Sequence, residues 1–148
     1  MRSLAGILFF GLAAGLFAQQ PAIEEGRSRF RAVEIYLDAK GTPLAAYQLE
    51  FTVTNVVAKI VGIEGGDHPA FRSPPFYDPK AMQHERVILG TFSTEAAEKL
   101  PSDKTRVATI HLQTFGDSEP RFNLSLRTAA DPEGKKITVS ADCQETPK

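Results

Sequence analysis

The chain has 148 residues, 42% of them hydrophobic, a formal net charge of -1 and a single cysteine. That is enough for one domain with one core. The near-neutral balance excludes electrostatic capture of nucleic acid or an anionic lipid surface, and one cysteine excludes an intramolecular disulfide framework.

At the start, Arg2 precedes an apolar run over 4–17 that is too short to span a bilayer comfortably, and Ala18 is a small residue at a plausible cut. We read residues 1–18 as a secretory signal peptide, with a signal anchor as the alternative. The mature protein is then extracytoplasmic, periplasmic or secreted, with no membrane span after signal cleavage. Residues 19–29 are polar and are expected to form a flexible leader.

From Phe30 the hydrophobic pattern has period two. Val33, Ile35 and Leu37 alternate with Glu34, Tyr36 and Asp38, and a Lys-Gly-Thr-Pro turn at 40–43 ends the strand. Leu49, Phe51 and Val53 repeat the pattern. Further strands are predicted at 58–63, 86–92, 105–115, 121–127 and 136–141, about seven in all. Two helical patches interrupt them. Asp78 followed by Pro79 has the chemistry of an N-cap with proline at the first helical position, and Thr94–Glu95–Ala96–Ala97–Glu98–Lys99–Leu100 consists mostly of good helix formers stopped by Pro101. The segment at 131–134, Asp-Pro-Glu-Gly, reads as a hairpin turn rather than a calcium loop. The fold class is all-β: an antiparallel β-sandwich over 30–142 with two short helical insertions and a tail at 143–148. Its expected core includes Val33, Ile35, Leu37, Leu49, Phe51, Val53, Ile110, Leu112, Leu124 and Leu126.

The stretch from Gly65 to Glu85 is a connection of about twenty residues where a handful is usual. Pro69, Pro74, Pro75 and Pro79 stiffen it, and Phe71, Phe76 and Tyr77 give it apolar surface. Aromatic rings on a stiff loop are suited to anchoring a partner, so Phe71, Phe76 and Tyr77 are the candidate binding residues. The competing expectation is a lid, with the same rings folded over one end of the core.

His68 and His84 in this loop are weak candidates for a metal site, because their spacing fits no ligand signature. His111 shares a strand face with Thr109 and Gln113 and is expected at the surface. No serine sits in a glycine-flanked elbow and Cys143 has no histidine near it in sequence, so no catalytic residue is assigned. We expect no cofactor and no enzymatic activity. Asn123-Leu124-Ser125 is a formal glycosylation sequon within a strand.

The strand containing Val33–Glu34–Ile35–Tyr36–Leu37–Asp38, the run Ala46–Tyr47–Gln48–Leu49–Glu50–Phe51 and the late run Val107–Ala108–Thr109–Ile110–His111–Leu112 resemble the cohesin-like β-sandwich domains of bacterial secreted proteins. The resemblance covers most of 32–141. It implies a nine-stranded jelly-roll-type sandwich used for binding, whose partner is a secreted or cell-surface protein, the dockerin-like kind among them. The proline- and aromatic-rich stretch at 65–85 departs from that pattern, and no family binding residue carries over. The leading expectation is a secreted, non-catalytic protein-binding module. A carbohydrate-binding module that takes polysaccharide is the first alternative, and a metal-assisted hydrolase built on His68 and His84 the second.

Overall fold

The computed structural model describes residues 27–146, so the expected signal peptide at 1–18 and most of the expected leader at 19–29 lie outside the described residues. Among the described residues no helix is long and apolar enough to cross a membrane. Among the described residues seven strands form, not the nine that the resemblance implies: β1 (Ser28–Asp38), β2 (Ala46–Thr54), β3 (Val57–Gly65), β4 (Arg86–Phe92), β5 (Lys104–Phe115), β6 (Arg121–Ala130) and β7 (Ser140–Glu145). The described residues are all-β, in two sheets that are antiparallel throughout. Sheet A has the order β3-β5-β1-β7, and sheet B the order β4-β2-β6.

Alternation decides which face each strand buries. Val33, Ile35 and Leu37 of β1, Leu49, Phe51 and Val53 of β2, and Ile110 and Leu112 of β5 join one apolar core fed by both sheets. Leu124 and Leu126 pack against this core but are only half-buried, because β6 is an edge strand with no neighbour on its far side. The inward row of β1 ends in Arg31. Its side chain is almost enclosed and is neutralised by Glu145 at 2.8 Å and Glu119 at 2.9 Å.

Three boundaries differ from expectation. β1 starts at Ser28, so the leader gives way to strand two residues early; the cause is pairing of Ser28 and Arg29 with Phe115 and Thr114. The last strand is β7 rather than 136–141. Lys136 makes only an isolated bridge to Ala130, which closes the turn at 131–134, and the chain then crosses to the other sheet before pairing with β1. Cys143 is therefore not in a tail: it lies opposite Ile35 in β7, half-buried, and burial pushes its thiol pKa up.

The helical patches shrink to single 3-10 turns. Pro79–Ala81 forms where expected, with Asp78 Oδ1 accepting from the Lys80 N–H at 2.9 Å. Only Ala97–Lys99 turns in the second patch, because Ala96 supplies no capping side chain and the segment is too short to repay helix nucleation. A third turn, Pro69–Phe71, was not expected.

Candidate functional site

The long connection begins at two glycines that no other residue could replace cheaply. A Cβ on Gly65 would run into the backbone of Arg72 and Ser73, and one on Gly66 into the backbone of Arg106. The Gly66 N–H donates to the Phe71 carbonyl at 2.7 Å, folding the start of the loop into a compact turn. Asp67 then fastens it to β5: its N–H donates to the Arg106 carbonyl at 3.2 Å and its carboxylate takes the Arg106 guanidinium in a bidentate pair. That guanidinium holds the Asp67 carboxyl below its ordinary pKa. His68 Nδ1 accepts from the Ala70 N–H at 3.2 Å and so caps the Pro69–Phe71 turn.

This turn drives Phe71 inward. It is 2% exposed and meets the Tyr47 ring edge-to-face, 5.6 Å between centroids. Phe71 is thus corrected from candidate anchor to core residue, since a ring with almost no accessible surface has nothing to offer a partner. The half-buried His68 is a capping group. Among the described residues no three His, Cys, Asp or Glu side chains come together as a potential metal cage, so His68 and His84 do not assemble one.

Beyond Pro74 and Pro75 the chain reaches the outer edge of β4. Phe76 and Gly90 exchange both backbone hydrogen bonds, at 2.8 and 3.0 Å, in an isolated antiparallel bridge. The side chain of Phe76 is left 70% exposed. Phe92, two residues along β4 from Gly90, is 64% exposed, and the two rings lie 6.3 Å apart with an interplanar angle of 17°. Ile88 is exposed on the same outer face, and half-buried Tyr77 completes an open groove with Gln48 and Thr91. Gly90 carries no side chain, so the floor between these apolar groups stays clear.

A charged rim borders the patch. Glu50, directly across from Ile88 in the ladder, accepts from Arg86 Nε at 2.9 Å and from the Arg127 guanidinium. These two partners lower the Glu50 pKa to about 2. After Phe76 the loop returns to sheet A. Asp78 caps its second turn, and the Gln83 N–H and His84 carbonyl bond the Ile60 carbonyl and N–H, each at 2.9 Å. The connection therefore ties the free edges of β3 and β4 together.

The outer face of sheet A is polar and internally paired. The Tyr36 hydroxyl donates to Glu34 Oε2 at 2.7 Å, Arg106 lies between Glu34 and Asp67, and His111 Nε2 is 3.2 Å from Glu64 Oε1 but outside hydrogen-bond geometry. His111 is partly exposed on this face beside Gly62.

Of the three aromatic candidates, then, Phe76 and Tyr77 reach the groove and Phe71 does not. Phe92 and Ile88 were missed. The available signal was the alternation in β4: with Val87 and Leu89 buried, Ile88, Gly90 and Phe92 must face out. No family model matches the chain, and no curated protein matches it significantly.

Proposed function

We propose that this chain is a secreted, non-catalytic protein-binding module, a β-sandwich of the cohesin-like kind, that grips its partner through the Phe76–Phe92 face of β4. The observation that carries the reading is this exposed, near-parallel ring pair, fixed by the Phe76:Gly90 bridge and bordered by Ile88 and the Arg86–Glu50–Arg127 cluster. An apolar centre within a charged rim is the usual anatomy of a specific protein interface. Fixing the ring through backbone hydrogen bonds reduces the ordering cost of binding. A secreted or cell-surface protein, dockerin-like among the options, is the partner class, and the short apolar run at 4–17 supports an extracytoplasmic location.

A polysaccharide partner is the second reading. It is favoured by one observation, two largely exposed, near-parallel rings on one sheet face, an aromatic surface of the kind on which sugar rings pack. Capture experiments with purified mature protein, one against the host's secreted proteins and one against insoluble polysaccharides, separate the two. Phe76→Ala and Phe92→Ala are expected to lose capture, whereas Phe30→Ala, an equally exposed ring on the other sheet, is expected to retain it. Retention by both β4 variants would move the binding site elsewhere. Capture of polysaccharide alone, lost with either ring, would replace the protein-binding reading.

A further inference from the structure

Each of the two sheets has two edges, and several are blocked locally. Gln83 and His84 bond Ile60 on β3, Phe76 bonds Gly90 on β4, and Ile137 bonds the Ala129 end of β6. The stretch of β6 from Arg121 to Leu126 is different. Its Arg121, Asn123 and Ser125 lie opposite Thr54, Thr52 and Glu50 of β2, the β2 positions whose backbone groups face β6, since Tyr47, Leu49, Phe51 and Val53 turn theirs to β4. The backbone groups of Phe122, Leu124 and Leu126 therefore point away from the sheet, and among the described residues none of them has a backbone partner. Their side chains are half-buried on the core side, with Phe122 stacked on Phe51 at 5.9 Å.

An uncovered, alternating edge is a template for another strand, and proteins normally block or charge it. The residues on this edge also name the strand it fits. From 121 to 127 the chain reads Arg-Phe-Asn-Leu-Ser-Leu-Arg, which has the same chemical pattern in both directions about Leu124. We propose that β6 pairs with β6 of a second copy of this chain, antiparallel about a two-fold axis at Leu124.

In that register Leu124 faces Leu124, Phe122 faces Leu126 and Asn123 faces Ser125, so apolar meets apolar on the core side and amide meets hydroxyl on the outer side. The outward N–H and C=O groups of Phe122, Leu124 and Leu126 find their complements, and the three half-buried side chains gain cover. A shift by one residue would set Phe122 and Leu124 against the polar row, which selects the register. Arg121 would face Arg127, but the β6 ladder is irregular at Arg127, where it skips a residue opposite Gln48 and Leu49, and Arg127 is already neutralised by Glu50. The interface is isologous and closes at two copies.

Sedimentation equilibrium of the purified chain over a dilution series is expected to show a reversible monomer–dimer transition. Leu124→Lys sets two ammonium groups together on the axis and should move the transition to concentrations about tenfold higher or more. In a Cys143→Ser background, a mixture of the Asn123→Cys and Ser125→Cys proteins, each changed at an exposed outward position of β6, should give a mixed disulfide-linked dimer on mild oxidation that neither protein gives alone, because only this register sets 123 opposite 125. The cysteine variants decide the matter even if Leu124→Lys fails to fold. A monomer at every attainable concentration overturns the proposal, as does a dimer whose introduced cysteines stay free.

Discussion

Phe71 and Phe76 lie five residues apart on one loop and face opposite environments: Phe71 is sealed against Tyr47, while Phe76 stands in solvent beside Phe92. Phe71→Ala is expected to cost about 3–5 kcal/mol in equilibrium denaturation, the range for a large aromatic lost from a packed core. Phe76→Ala should shift the same transition by about 0.5 kcal/mol or less. A reversal of that order would mean that the loop is seated differently on the sheets. Glu50 carries a separate prediction. Its folded-state pKa, about 2, lies below the ordinary value of 4.5, so its contribution to stability is full above 4.5 and is lost as pH falls through about 2. Glu50→Gln should therefore flatten the acid limb of the stability curve in that window while leaving its slope near neutral pH unchanged, as read from melting temperatures across an acid pH series.

At the scale of elements, the strands were legible because period two is a strong signal when one face is buried. β1, β2, β4 and β5 follow from Val33–Ile35–Leu37, Leu49–Phe51–Val53, Val87–Leu89 and Ile110–Leu112. The final strand was misplaced because Ile137 and Val139 alternate like strand residues, yet they pack on the core while crossing between sheets. No local pattern distinguishes a crossing from a ladder. The loop was legible as unusual and its aromatic residues as important, but a segment without periodicity does not reveal which ring turns inward; that is decided by Gly65, Gly66 and the Asp67–Arg106 pair, which are remote from Phe71 in chemistry and, for Arg106, in sequence. Gly66→Ala tests this dependence. Forcing a methyl group against the Arg106 backbone should destabilise the protein by about 1–3 kcal/mol and expose the loop to limited proteolysis before the strands are cut. Equal protection of loop and strands would show that the loop's other ties suffice.

At the scale of the whole molecule, the side between β3 and β4 is closed by the loop and the side between β6 and β7 is not, so half-buried apolar groups such as Leu124, Val139 and Ala141 collect on one flank. The placement of β1 has a further outcome. Among the described residues it is the first strand, yet its two neighbours in sheet A are β5 and β7, both later in sequence. As the polypeptide leaves the ribosome, β1 has no neighbour in its sheet until Lys104–Phe115 has been synthesised, and its second edge stays open until the last strand follows. Long-range pairing of this kind pays loop closure before any contact rewards it, and refolding after dilution from denaturant is expected on the order of milliseconds to seconds. Sheet A therefore cannot close around β1 until the later described strands have been made.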